Sequence, residues 1–286
     1  MEPVRPKPAL DQAKDALEFV KFSHTIFALP FALISMLVAA RGIPSWKIVG
    51  LILLCMISAR TAAMCFNRLV DWDYDVENPR TANRSKLARK PVAIGLCLVS
   101  IAIFKLSAFF LNPLCAVLSP VAVFLIFFYS FTKRFTALSH AFLGLALSAA
   151  PMGAWAAVTG ELWSPAPWCL AAAVLCWVFG FDLIYATQDV DFDRKVGLFS
   201  FPARYGLPAT LQLARVLHGL TWLILLLFGL LAGLKLAYWI SLALVAGALV
   251  YEHRLSRSGD LQKINVAFFQ VNGAVSLLLL LGVSLQ

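Results

Sequence analysis

Residues 167–195 read PWCLAAAVLCWVFGFDLIYATQDVDFDRK: an apolar run that closes on four aspartates, Asp182, Asp189, Asp191 and Asp193, and then on two cations. The apolar part is long enough for one helix to cross the hydrocarbon core of a bilayer, which takes roughly 20 residues. Carboxylates packed this closely repel one another and are costly at a bilayer edge, so they call for a cation or a charged ligand. The same arrangement stands earlier in the chain, where the stretch from Trp46 to Val70 runs into NRLVDWDYD, residues 67–75, with Asp71, Asp73 and Asp75. The two clusters hold seven of the 15 acidic residues.

Composition sets these clusters in a membrane protein. At 61% hydrophobic and 14% charged residues over 286 positions, the chain lacks the polar surface of a soluble domain. Nine stretches are long and apolar enough to span: Phe22–Arg41, Trp46–Val70, Pro91–Leu111, Pro113–Phe131, Ala137–Val158, Pro167–Thr187, Ala209–Leu231, Leu234–Tyr251 and Val266–Leu285. The expected fold is therefore all-α, with nine transmembrane helices around a central cavity open to the cytoplasmic side. It forms one domain over 1–286, in which residues 1–21 are an interfacial segment and 22–286 the bundle. With the N-terminus inside, 17 Lys and Arg fall on inner segments and three, Arg41, Lys47 and Lys235, on outer ones. That asymmetry predicts a cytoplasmic N-terminus in a bacterial cell membrane. The net charge of +9 reads as orientation and attraction to anionic lipid, not as a nucleic-acid surface. No obligate protein partner is evident. All six cysteines lie in apolar stretches and read as small buried residues. The four histidines are scattered without a metal signature, and His24 alone stands out, at the mouth of the first stretch beside Lys21 and Ser23.

Both acidic clusters end even-numbered stretches, so both face one compartment. Arg60, Asn67 and Asp71 are spaced by seven and four residues, and Asp182, Asp189 and Asp193 repeat that spacing. At about 100° per residue each set forms one polar stripe on a helix face. Two such stripes predict opposite walls of one wet cavity. Asp71 and Asp75, like Asp189 and Asp193, stand four apart, so each pair can offer two carboxylates to an octahedral magnesium that keeps water and substrate oxygens. A diphosphate bridging two such ions would lose its carbon–oxygen bond more readily, because the ions neutralise the charge that develops. Lys133 and Arg134, with Arg80 and Arg84 in the RTANR segment, are cations placed to close over the same group. Asp73 and Asp191 point off the stripes and read as solvated.

At this point the residues resemble the UbiA-type intramembrane aromatic prenyltransferases over nearly the whole chain. Asn67, Asp71 and Asp75 match the first family signature, Asp189 and Asp193 the second, and Asp182 with Tyr185 the Tyr-Asp-x-x-Tyr-Ala pattern, Phe181 replacing its leading Tyr. Tyr129 ahead of Lys133 and Arg134, and Arg60 upstream of the first signature, also fit. The resemblance implies an enzyme in which Mg2+ on Asn67, Asp71, Asp75, Asp189 and Asp193 holds a polyprenyl diphosphate whose tail leaves toward lipid. Ionisation would give an allylic cation that an aromatic acceptor attacks at carbon. Lys133 and Arg134 would steady the diphosphate or an acceptor carboxylate, and Arg60, Asp182 and Tyr185 would line the acceptor pocket. The chain departs from the family at Arg68, where an Asp is usual. The Asn67-Arg68 form resembles a bacterial branch that prenylates 4-hydroxybenzoate or, in some members, a dihydroxynaphthoate, for ubiquinone or menaquinone. Haem O, chlorophyll or lipid synthesis by the same chemistry is the alternative within the family, and an ion-coupled transporter the alternative outside it.

Overall fold

The computed structural model describes residues 14–15, 17–83, 87–257 and 259–285. Among them every regular element is helical, because in lipid each backbone N–H and C=O must find its partner within the segment. The helices are α1 Leu29–Ala40, α2 Trp46–Val70, α3 Trp72–Glu77, α4 Lys90–Leu111, α5 Pro113–Thr132 and α6 Ser139–Thr159. They continue as α7 Pro165–Ala186, α8 Val190–Val196, α9 Phe201–Leu231, α10 Leu236–Ser256, α11 Leu261–Val266 and α12 Asn272–Ser284.

Eight helical segments are long and apolar enough to cross a membrane. The first predicted stretch, Phe22–Arg41, is not one of them. It divides into a 3-10 turn, Phe22–Phe27, and α1, whose 12 residues rise about 18 Å. Pro30 fixes the division, since a residue without an N–H fits the first turn of a helix but not its interior. The last stretch also differs from a plain span: α11 passes through a π-helical turn, Ala267–Val271, into α12. The side chain of Asn272 stabilises that turn by donating to the Ala267 carbonyl at 3.1 Å and to Glu252 Oε1 at 2.7 Å. The predicted start of the seventh stretch at Ala209 falls just after a break at Gly206, whose φ of 80° leaves the helical region ahead of Pro208.

The central helix is α7. With α8 it forms the most enclosed span, 61% of its most apolar window buried, against 17% for α5. α7 packs between α6 and α9, and α1 lies against α6 and α12. Trp177, Val174, Phe181, Phe31 and Leu170 fill the interior between them. Outward, Phe109, Phe110, Val117, Phe124, Leu223 and Leu230 are exposed, an apolar exterior that only lipid makes favourable. Gly144 sets the α6–α7 distance, because a Cβ there would stand 2.5 Å from the Leu175 carbonyl oxygen. All six cysteines are free and at least partly buried. The chain is a multi-pass integral membrane protein.

Candidate functional site

The two acidic clusters share one local geometry. α2 ends at Val70 and α3 starts at Trp72, with Asp71 at the junction in a conformation of φ −94° and ψ 10°. α7 ends at Ala186, a 3-10 turn covers Thr187–Asp189, and α8 starts at Val190, with Asp189 at φ −108° and ψ 8°. Each leading aspartate therefore sits at a bend in the sparsely populated bridge region, where many site residues are found. The straight polar stripe expected from spacing is replaced by a stripe that bends over the mouth. Asp75 N–H still donates to the Asp71 carbonyl at 2.8 Å, so the helical register continues through the first bend.

Both bends face one cavity of about 790 Å³. Asn67, Asp71, Asp75, Asp189 and Asp193 line it together with Arg60, Arg80, Lys133, Asp182 and Tyr185. Asn67, Asp71, Lys133, Asp182, Tyr185 and Asp189 lie on or beside the C-terminal ends of α2, α5 and α7, Arg60 lies further inside α2, Asp75 and Asp193 lie on α3 and α8, and Arg80 lies in the connection after α3. His24 reaches the same cavity from the 3-10 turn. Arg84 lies outside the described residues. Arg134 takes a different place from the one expected of a ligand contact, since it stands behind the wall. It donates to the carbonyls of Val70 at 2.9 Å and Ser130 at 3.0 Å and to Asp71 Oδ1 at 3.2 Å. Asp73 is exposed as expected, facing Lys90 at 3.8 Å.

Asp71, Asp75 and Asp189 each carry a cationic partner. Asp71, 4% exposed, accepts from Lys133 Nζ at 2.6 Å and from Asn67 Nδ2 at 3.3 Å. Asp189 accepts from Arg80 through both carboxylate oxygens and from Asn78 Nδ2 at 3.2 Å. Burial alone would lower the Arg80 pKa, but its bonds to Asp189 and Tyr185 outweigh that and raise it, so it stays charged. Arg68, at the position where the family has an acid, pairs with Asp75 at 3.2 Å in a nearly buried contact. Among the described residues no three His, Cys, Asp or Glu side chains gather into a metal cage. An all-oxygen donor set that offers one or two carboxylates per ion, leaving other positions for water and phosphate, is the kind magnesium prefers to a cage.

Deeper in the cavity, Arg60 Nε is buried without a hydrogen-bond partner. Tyr185 stacks on Phe268, ring centroids 4.0 Å apart, and Phe27 and Phe181 pack against the same Phe268. Sequence reasoning missed two residues here. Asn78 bridges the connection after α3 to the second cluster. His140, read as one of four scattered histidines, bonds Asp182 through Nδ1 at 2.7 Å. Neither could be found from spacing, since the partners are 111 and 42 residues apart.

Three comparisons place this geometry. The sequence matches the UbiA prenyltransferase family over residues 28–274, so the chain belongs to that family and is a prenyltransferase. It is 32% identical over 270 residues to a 4-hydroxybenzoate octaprenyltransferase of Marinomonas, covering 92% of this chain and 94% of that one. The apo structure of a UbiA homolog from Aeropyrum pernix superposes with a TM-score of 0.84 at 30% identity, over 92% of this chain and 97% of that chain. The structure of an Archaeoglobus fulgidus UbiA homolog bound to GPP and Mg2+ shares the fold, with a TM-score of 0.66 at 17% identity, over 93% of this chain and 99% of that one.

Proposed function

We propose that the protein transfers a polyprenyl group from its diphosphate to a ring carbon of an aromatic hydroxy acid, 4-hydroxybenzoate or a dihydroxynaphthoate, in ubiquinone or menaquinone synthesis. The observation that carries this reading is the meeting of both acidic clusters in one cavity that Arg60 also lines, its Nε without a hydrogen-bond partner among the described residues. Asn67, Asp71, Asp75, Asp189 and Asp193 would hold Mg2+, in line with the ion named for the Archaeoglobus protein. Bound there, Mg2+ supplies charge neutralisation for the departing diphosphate.

The chain's own residues account for the rest. Lys133 and Arg80, now paired with Asp71 and Asp189, are free to turn to diphosphate oxygens once those carboxylates take a metal. Arg134 keeps Asp71 aimed at the cavity from behind. Arg60 suits a carboxylate at the far end of the acceptor, where a planar guanidinium can bond two oxygens in a site of low polarity. The rings of Phe27, Phe181 and Phe268 exclude water from an allylic cation and turn electron-rich faces to it. The whole chain would act as one domain, with its N-terminus and cavity mouth cytoplasmic in a bacterial cell membrane.

Purified protein in detergent, given Mg2+ and a polyprenyl diphosphate with 4-hydroxybenzoate or 1,4-dihydroxy-6-naphthoate, tests the reading, products being measured by mass. Prenylated product from one acceptor, lost on chelation and regained with Mg2+, is the expected result. Diphosphate release that needs neither acceptor would overturn it.

A further inference from the structure

His140 stands in the first turn of α6, with its side chain 6% exposed, and lines the same cavity as Arg60 and Tyr185. Its Nδ1 lies 2.7 Å from Asp182 Oδ2, near the end of α7. A carboxylate accepts from an N–H, so in the neutral imidazole this contact places the ring proton on Nδ1 and leaves a lone pair on Nε2. That Nε2 is buried and, among the described residues, has no hydrogen-bond partner. A buried, unpartnered acceptor is costly to keep unless something else completes it. Lining the same cavity are Arg60 on α2 and Asp71 just after it, Tyr129 on α5 with Lys133 at its end, Asp182 on α7 and Asp193 on α8. Cations and carboxylates thus line the cavity that His140 also lines, while among the described residues no group satisfies Nε2.

We propose that His140 is the catalytic base that takes the hydroxyl proton of the aromatic acceptor, with Asp182 fixing its tautomer and orientation; this rests on the prenyl-transfer reading above. The oxygen's proton passes to Nε2, and the electron density left on oxygen enriches the ring carbon beside it. That carbon forms the new bond to the donor's first carbon as the donor's carbon–oxygen bond breaks, its electron pair leaving with diphosphate. The ring carbon then loses its hydrogen as a proton to the diphosphate, and the imidazolium returns its proton to the oxygen. One ring C–H becomes C–C, and the net proton ends on diphosphate. The arrangement is that of a histidine held by an aspartate on one nitrogen and working with the other.

The test compares wild type, His140→Ala and His140→Gln in detergent with Mg2+ and a polyprenyl diphosphate, offering 4-hydroxybenzoate and its 3-fluoro analogue, whose hydroxyl is more acidic. Glutamine can hydrogen-bond in the same place but cannot take the proton. The expected result is a fall in kcat of about 10²-fold or more in both variants, with the donor KM unchanged. The loss should be smaller with the fluorinated acceptor, and added imidazole should restore part of the alanine variant's rate. Thermal unfolding separates a folding defect from this pattern, and the glutamine variant carries the test should alanine fail to fold. Wild-type rate in His140→Gln, or an equal loss with both acceptors and no rescue, overturns the assignment to His140 alone. No transfer by the wild type to either acceptor overturns the reaction itself, and this inference with it.

Discussion

At the residue scale three of the site's carboxylates are already paired with the protein's own cations. Asp71 has Lys133 and Arg134, Asp75 has Arg68, and Asp189 has Arg80. This explains how so many acids persist at the edge of an apolar bundle, since an unpaired buried charge costs several kcal/mol. Removing one of these acids exposes the difference between structural and chemical roles. Asp71→Ala and Asp189→Ala are each expected to abolish prenyl transfer while the protein still purifies folded, measured as product formation alongside a thermal unfolding curve. Near-normal turnover in either variant would remove the metal-holding role proposed for these residues. Arg134 differs from the other cations, because it also caps two backbone carbonyls at the junction of α2 and α5. Arg134→Ala should therefore lower both the unfolding temperature and kcat, through a misaimed Asp71, with little change in acceptor KM. A change confined to acceptor KM would put the side chain in the pocket instead. The acids, Asp182 among them, were legible in the sequence because their spacing repeats, Lys133 as a cation in an adjoining connection, and Tyr185 through the family pattern. His140 and Asn78 were not, because their meaning lies only in partners reached across the fold.

At the scale of elements, the decisive features are bends and close approaches. The matching backbone angles at Asp71 and Asp189 turn the last helical turns of α2–α3 and α7–α8 over the cavity mouth. Periodicity predicted a shared face but treats every helix as straight, so it missed both bends. Gly144 makes a second kind of point. Gly144→Ala would drive a methyl group against the Leu175 carbonyl and part α6 from α7, separating His140 from Asp182. Overpacking of this kind costs about 1–3 kcal/mol. The expected outcome is a lowered unfolding temperature together with a reduced transfer rate; unchanged values of both would mean that the helices shift without strain. The π-helical turn at Ala267–Val271 brings Phe268 and Phe269 to the cavity, and Asn272 holds it. Asn272→Ala leaves Glu252 Oε1 without its donor in a fully buried position. A loss of about 1–3 kcal/mol is expected in an equilibrium unfolding titration, and acceptor KM should rise as the aromatic wall loosens. A stable variant with wild-type kinetics would free the π turn from Asn272.

At the scale of the whole molecule, the apolar exterior and the polar cavity are two surfaces of one bundle. The acids gather at one end because every second span ends on the same side, and in the proposed topology the basic segments beside them fix orientation in the membrane. Cysteines introduced at Glu161 and Lys195, in a background lacking the six native ones, test that orientation. An impermeant maleimide added to intact cells should label the first and spare the second, and the reverse pattern would invert the proposed topology.

The sequence alone determined that the chain is a helical membrane protein with two acidic clusters on one rim. Those properties depend on local composition and on spacing along single helices, which residue order encodes directly. It did not register the division of the first stretch into a 3-10 turn and α1, because a hydropathy run does not record where Pro30 obliges a helix to begin. Only the tertiary structure decided which cation neutralises which acid, that Arg134 stands behind the wall, and that His140 meets Asp182. Those contacts join residues up to 109 positions apart, as Arg80 does with Asp189. They depend on how closely helices dock, a distance set by side chains such as the missing one at Gly144 and by bends that no periodic pattern contains.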